Sequence, residues 1–483
     1  MRGRVLSILI TLLMCSTPLF PIEERVAGVI HLHTGYSSGS YTVEELVNLA
    51  EEKGLRVLII TDHYLVRLEY GFFPFRNLFK VVRERDSIAK RGISQYLDEI
   101  ERVNRSYPEM VVIAGMEVAP FYYWSGSWLQ GNLQLNHWNR HMLVLGLDQS
   151  QQLQGLPLLG GNGNSRYSIA SLLKFYPLIL LYGGWRIMRY TRRKKRGKGY
   201  KFVGFGILIL SSVLLVNNFP FKETTFDPYH GDQGAEPYQR VIDYVSQQRG
   251  LIFWAHPEAG QAGEMEGVSL RTEPYAGLLL GTYGYDGFAS LYEGWRQCAS
   301  PRGYWDRCLV DYCSGKREKP VWTIGEADYG MEGESGGKRI EDVQTVFLTN
   351  ELNRQAILDC LRKGRVYSLR RSFQYELCLE EFSITTGGKR ATSGEFLFAV
   401  EGSPTIHFSV STNPLVDKRI EAKLIRNGKV IKVFEALANM KVKYTDDVNH
   451  GKGITYYRLD VSTEYPHRLF SNPIFVALDG GGG

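Results

Sequence analysis

This chain of 483 residues predicts an α/β fold followed by an all-β region. Three observations carry that expectation. From residue 26 to 366, short apolar strands alternate with polar or amphipathic helical segments, the pattern of a parallel sheet covered by helices. Segment 55–63 contains the unbroken apolar run Val57-Leu58-Ile59-Ile60, as expected of a strand buried on both faces. Beyond about Arg371 the helical segments stop and short alternating strands take over.

The α/β part is expected to place strands at 26–33, 55–63, 110–118, 141–147, 250–256, 287–292 and 321–328. Helices are expected at 42–53, 94–106, 237–248 and 351–363, the last stopping at Gly364, because glycine enters the left-handed region freely. The all-β part carries strand patterns at 376–384, 405–411, 420–426, 429–434, 456–462 and 473–478, with Asn427-Gly428 as a hairpin signal. It reads as a β-sandwich over 371–479 with a docking or supporting role, since no constellation of catalytic residue types falls in it. Residues 480–483 are all glycine and read as a flexible tail.

Charge narrows the classes of partner. Of the 57 basic residues, eight lie between Arg189 and Lys201 with no acid among them; without those, 49 basic residues stand against 51 acidic. The remaining composition gives no case for a nucleic-acid partner. Apolar runs at 171–188 and 202–219 flank the basic segment, and the second contains no charge. Each approaches the length that crosses a bilayer, the first with Lys174 snorkelling, and the pair reads as a transmembrane hairpin in an insertion spanning 151–235. The positive-inside rule puts Arg192-Arg193-Lys194-Lys195-Arg196 in the cytoplasm.

At the other end of the chain, Met1-Arg2-Gly3-Arg4 before the apolar stretch 5–14 reads as a signal or an N-terminal anchor over 1–24. The resulting topology leaves 25–150, 236–370 and the all-β part together on the extracytoplasmic side of a cell membrane, with membrane lipid as a partner of the hairpin. Cys298, Cys308 and Cys313 are close enough in sequence to pair in an exported domain, and unpaired buried thiols remain equally open.

The chemistry concentrates at the ends of the expected strands. His31 and His33 are two apart and can share a face of a strand, and His63 ends the next strand of the same β–α–β unit. Three imidazoles on neighbouring strand ends are the beginning of a metal site. Further along come Ile113-Ala114-Gly115-Met116-Glu117, His141 opening a strand, Ala255-His256-Pro257 ending one, and Thr323-Ile324-Gly325-Glu326-Ala327-Asp328. In type and order these motifs resemble the polymerase-and-histidinol-phosphatase (PHP) family of metal-dependent phosphoesterases, over roughly 25–370 apart from the insertion.

The resemblance implies a distorted seven-stranded, TIM-like β/α barrel in two parts, 25–150 and 236–370, with active residues at strand ends. It assigns one metal to His31, His33, Glu117 and Asp328, and a second to Glu117, His141 and His256. The family's third metal would fall on Ser38, His63 and Gly330, two of which cannot serve as they stand. The expectation is therefore two divalent ions (Zn, Mn or Fe), with His63 kept as a proton donor, substrate contact or weak ligand. His137 is the competing imidazole for His141, and Arg140 the nearest candidate clamp for a phosphate. The implied reaction is in-line hydrolysis of a phosphoester by metal-activated water. The alternative is a non-catalytic, metal-dependent binder of a phosphorylated or anionic glycan at the cell envelope.

Overall fold

The computed structural model describes residues 24–193, 198–333, 338–400, 402–447 and 453–478. The expected leader at 1–24, save Glu24, and the tail at 480–483 lie outside them, as does most of the Arg-Arg-Lys-Lys-Arg run.

Seven strands pair in chain order: β1 (Arg25–Leu32), β2 (Val57–Ile60), β3 (Val111–Val118), β4 (Met142–Leu145), β5 (Leu251–Trp254), β6 (Gly287–Leu291) and β7 (Trp322–Gly325). Beyond β7 the chain turns back onto β1. Ala327 N donates to Ile30 O (2.9 Å), Tyr329 N to His31 O (3.1 Å) and His33 N to Tyr329 O (2.8 Å), which closes the ring. Alternate residues such as Ile30, Ile59, Ile113, Leu143, Phe253 and Ile324 form one buried cluster inside it. Helix α7 (Arg354–Lys363), capped by Asn353 and ended by Gly364 at φ 70°, joins that cluster through Ile357, Leu358 and Leu361. The opposite faces of the strands bury Leu58, Ile60, Val112 and Val144 against α1 (Val43–Glu52), α2 (Ile93–Ser106) and α5 (Glu236–Gln247). Helix α1 begins on a Thr42–Glu45 capping box.

One strand is reversed. β4 runs antiparallel to both β3 and β5, whereas β1–β2, β2–β3, β5–β6 and β6–β7 are parallel. The start of β4 therefore lies at the rim where its neighbours end. This explains why the expected ligand His141 opens its strand while the other expected strand-borne ligands close theirs.

Between β4 and α5 lie two long helices, α3 (Tyr176–Arg193) and α4 (Lys198–Asn218). The first starts later than the apolar run at 171–188 suggests, because Ile169–Phe175 forms a tight 3₁₀ turn; it also carries Arg186, Arg189 and Arg192. Among the described residues only α4 is long and apolar enough to cross a membrane, with mean hydropathy 1.9. The helices cross closely at Gly184 and Gly204, where an added Cβ on Gly204 would meet Met188 Cγ at 2.9 Å.

The C-terminal region is β-rich and has no sheet break at residue 371. β8 (Val343–Leu348) pairs antiparallel with β1, β9 (Val366–Arg370) pairs with β8, and strands Arg468–Ser471, Gly453–Ser462, Arg419–Arg426 and Lys429–Leu437 follow in the same sheet. A second sheet holds Lys389–Thr392, Glu376–Thr386, Thr405–Asn413 and Asn439–Thr445. Leu377, Phe382 and Phe408 from it share a core cluster with Leu424, Leu459 and Val461 from the first. Asn427 (φ 47°) and Gly428 (φ 79°) form the expected tight hairpin, both in the left-handed region. None of Cys298, Cys308, Cys313, Cys360 and Cys378 is in a disulfide.

Candidate metal centre

The open end of the ring is built around one carboxylate. Glu117, the second-to-last residue of β3, is buried at 2% exposure. Four imidazole nitrogens surround it: His141 Nδ1 at 2.5 Å and His31 Nε2 at 3.2 Å from Oε1, His63 Nδ1 at 2.7 Å and His33 Nε2 at 3.5 Å from Oε2. His256 Nε2 is 3.3 Å from Oε1. Asp328 Oδ1 adds a second carboxylate, 3.7 Å from His31 Nε2 and 3.5 Å from His33 Nε2. Among the described residues, three ligand groupings are close enough to hold an ion: His31–Glu117–His256, His31–His33–Asp328 and His33–His63–Glu117.

These residues are brought together by departures from regular structure. His31 is the extra residue of a bulge in the β1–β2 pairing and sits at φ 72°; His256 and Asp328 also have positive φ, 23° and 45°. Convergence of His31 and His33 therefore comes from the bulge and from His33 lying just past the strand, not from simple two-residue alternation. Backbone conformations of this kind cost on the order of 1–3 kcal/mol each and persist where the surroundings hold them.

The surroundings do hold them. Glu326, fully buried, accepts from His31 Nδ1 (2.8 Å) through one oxygen and from the His256 backbone N–H (2.6 Å) through the other. Asp62 accepts from Thr34 N (2.7 Å), Thr34 Oγ1 (2.6 Å) and Ser37 Oγ (2.5 Å), and Ser37 Oγ in turn faces His33 Nδ1 at 3.3 Å. Tyr275 Oη donates to Ala255 O (2.6 Å), leaving a lone pair for His256 Nδ1 at 3.0 Å. Each arrangement engages Nδ1 and so turns the Nε2 lone pair of His31, His33 and His256 toward Glu117 and Asp328.

The donor set fits divalent metal. His31 Nε2 and Glu117 Oε2 are buried without a hydrogen-bond partner, although His63 Nδ1 approaches Oε2 to 2.7 Å. Lone pairs aimed at a common point, not at one another, are what a cation requires. Electrostatics agree. Burial works to lower the His31 and His256 pKa values, but Glu117 and Glu326 outweigh it, lifting His31 well above its ordinary value and His256 to about 9. His63 is also raised, Glu117 again overriding burial, whereas His141 is lowered because burial prevails. Burial pushes the Glu117 carboxyl up, but His141, His31 and His63 hold it well below the usual range.

A cavity of about 140 Å³ opens on this cluster, lined by His63, Asp328, Ser38, Gly330, Asn139 and Lys338 besides His33, His141 and His256. Ser38 and Gly330, the positions with no metal ligand, thus face the same space as His63. Arg140 does not line it: the side chain is buried, with its guanidinium 6.0 Å from the centroid of the Tyr275 ring. Lys338 does, with Nζ donating to Asp328 O at 2.9 Å. His137 is apart from the cluster, against the Tyr123 ring and 3.8 Å from Asp232, so it does not compete with His141. A larger groove of about 700 Å³ lies on the β-rich region, but His407 is the lone imidazole lining it, and its carboxylates are taken up by Arg390 (Glu381), Ser409 and Ser411 (Glu380) and Thr392 (Glu395).

Sequence reading missed Glu326, Asp62, Tyr275 and Lys338. The first two had a signal: a carboxylate inside an otherwise apolar strand end, beside an expected ligand, is too costly to bury without a purpose. Tyr275 and Lys338 are distant in sequence from the residues they serve, and nothing local marks them.

A closed β/α barrel with a polyhistidine cluster around a buried glutamate at its open end defines a barrel with a candidate metal centre. Residues 30–287, more than half of the chain, match the PHP domain, and the chain belongs to the PHP family. Solved structures resemble it, three of them as follows. A two-domain protein from Bacteroides vulgatus containing a predicted PHP-like metal-dependent phosphoesterase is 12% identical and covers 90% of each chain, with TM-score 0.35. A provisionally described metal-dependent phosphoesterase from Bifidobacterium adolescentis is 14% identical over 70% of this chain and 97% of its own, TM-score 0.29. An amidohydrolase from Chromobacterium violaceum, with bound sulfate and no metal, is 14% identical over 72% and 98%, TM-score 0.29. No curated protein matches this chain.

Proposed function

We propose that this chain is a membrane-anchored phosphoesterase using two divalent metal ions, its barrel and β-rich region on the extracytoplasmic side. The observation that carries the catalytic part is the convergence of five imidazoles and Asp328 on Glu117. His31, His33, Glu117 and Asp328 would hold one ion, and Glu117, His141 and His256 the other. Such ions, when bound, supply Lewis acidity that favours hydroxide over water and draws charge from phosphate oxygens. The chain's own residues do the rest. Lys338, at the mouth of the cavity, presents an ammonium to the phosphate. His63, its side chain 25% exposed and the most open of these imidazoles, lies where it can pass a proton to the departing alcohol. Asn139 offers an amide to the same space.

The anchoring part is supported by α4. Only 17% of its apolar window is buried, so its apolar surface faces outward, unlike a core helix. Leu178, Ile179, Tyr182 and Trp185 of α3 are exposed as well. The basic segment between α3 and α4 gives the orientation.

The test is purified full-length protein in detergent, loaded with manganese or zinc and offered a panel of aryl and alkyl phosphates. Metal binding with turnover is expected, both lost in Glu117→Ala, while Lys338→Met keeps its metal and loses about 10-fold or more in kcat/KM. Metal binding without turnover on any ester would instead favour the glycan-binding alternative, for which Ser38 and Gly330 are the supporting residues.

A further inference from the structure

Three excursions leave the open end of the barrel, and each is rooted on metal-centre residues. The first follows His63: strands Arg67–Gly71 and Lys80–Glu84 pair, and the chain returns so that Ile88 N donates to His63 O at 3.0 Å. The second runs between Glu117 and His141 through strands Tyr123–Ser125 and Gln134–Asn136. The third runs between His256 and Tyr275 through Gln261–Met265 and Val268–Thr272, and shares a four-stranded sheet with the second. Edge-to-face contacts join the first two, Tyr70 with Trp124 and Phe72 with Trp128.

The tips of the first two are apolar and bare, whereas the third turns at Glu266, which pairs with Arg83 of the first. Phe73 is 82% exposed, Phe79 59%, Trp128 59% and Leu129 87%. The first excursion carries five basic residues against two acidic ones between Arg67 and Arg85. The tip is also fixed in height, because Asn217, at the end of α4 far from the basic segment, accepts through Oδ1 from Asn77 N (3.0 Å) and Leu78 N (3.2 Å). Its carbonyl accepts from Asn77 Nδ2 at 2.7 Å. Gly71 N donates to Tyr229 Oη and Trp124 N to Pro228 O, both in the segment that leaves α4. A helix of 21 residues spans about 31 Å, the thickness of a bilayer's hydrocarbon core, which puts Asn217 at its outer boundary. The aromatic tips are held at that level, where amphipathic rings and basic side chains are most favourable.

We propose that the first two excursions form a lipid-seated rim: Phe73, Phe79, Trp128 and Leu129 lie in the outer interfacial layer of the bilayer, and the phosphoester taken by the metal cavity is carried on a membrane lipid. The inference rests on both parts of the proposed function, and its test separates them.

Full-length protein is reconstituted into vesicles whose phospholipid is brominated near the top of the acyl chains. The tryptophan quenching lost on Trp128→Phe then reports the seat without reference to activity. Resistance to alkaline extraction first establishes that the helices are inserted; extraction would dispose of the anchoring reading, and this one with it. Strong quenching of the Trp128 signal is expected. Its absence in an inserted protein overturns the rim. The triple variant Phe73→Ser, Phe79→Ser, Leu129→Ser is then compared with the parent on p-nitrophenyl phosphate and on phosphatidic acid in the vesicles. A loss of at least 10-fold on the lipid alone is expected. Equal loss on both, no loss on the lipid, or a parent that cleaves only the soluble ester each overturns the proposal. A parent inert on both fails the phosphoesterase reading, and the lipid substrate with it, while the quenching still reports on the rim.

Discussion

Glu326 binds no cavity and faces no solvent, yet two of the centre's histidines depend on it. One oxygen accepts from His31 Nδ1 and the other from the His256 backbone. A glutamine offers only one acceptor there, so Glu326→Gln must turn an N–H toward His31 or toward the His256 amide. Metal affinity should fall about 10- to 100-fold in chelator competition while the fold survives; an unchanged affinity would remove Glu326 from the centre. The same charges set the pH response. In the metal-free protein the carboxylates raise His31 well above its ordinary pKa and His256 to about 9, so both hold protons at neutral pH. Coordination needs their lone pairs, so binding must expel those protons, and affinity should rise with pH up to about 9 and weaken as pH falls. Calorimetry at pH 7 in buffers of different ionisation enthalpy should register at least one proton released per metal; binding with none released would contradict this assignment of charge.

At the scale of elements, the strands that carry Glu117, His256 and the His31–His33 pair were legible because a strand buried on both faces leaves a near-continuous apolar run ending in a polar residue. The reversal of β4 was not, since four apolar residues read the same in either direction; only its pairing with β3 and β5 shows why His141 comes first. The bulge at His31 was hidden too, because a histidine at positive φ leaves no trace in local composition. The excursions have alternation too weak and too short to separate from loops, and their order comes from packing on one another. Close strand packing does have a mark in sequence, a glycine in an apolar strand. Gly115 faces inward on β3, and a Cβ there would stand 2.5 Å from Leu145 Cδ2 and 3.0 Å from Thr61 Cγ2. Gly115→Val should therefore overpack the ring and destabilise it by about 1–3 kcal/mol, read as a lowered thermal midpoint by circular dichroism. Wild-type stability in that variant would mean the ring has slack there.

For the whole molecule, the question is whether barrel and β-rich region are one cooperative unit. The composition changes near residue 371, which invites a boundary, but β1, β8, β9 and the strands beyond form one sheet. Across the seam, Arg458, fully buried, pairs with Asp306 of α6 (Tyr304–Cys313) through two bonds, Nε to Oδ1 at 2.7 Å and Nη2 to Oδ2 at 2.8 Å. Tyr456 Oη donates to Asp306 Oδ1 at 2.8 Å and Arg302 N to Oδ2 at 2.8 Å, so the carboxylate is satisfied on every side. Removing one partner strands the other charge without water, which costs about 3–5 kcal/mol, whereas replacing both by apolar groups of similar size is often close to neutral. Asp306→Ala and Arg458→Met should each lower stability by that amount, and Asp306→Leu with Arg458→Met by clearly less than their sum. Because the seam is shared sheet, unfolding should stay a single transition in all of them, followed by both near-ultraviolet dichroism and tryptophan emission. Two separate transitions in the parent protein would mean that the β-rich region folds by itself, and that the centre's architecture does not depend on it.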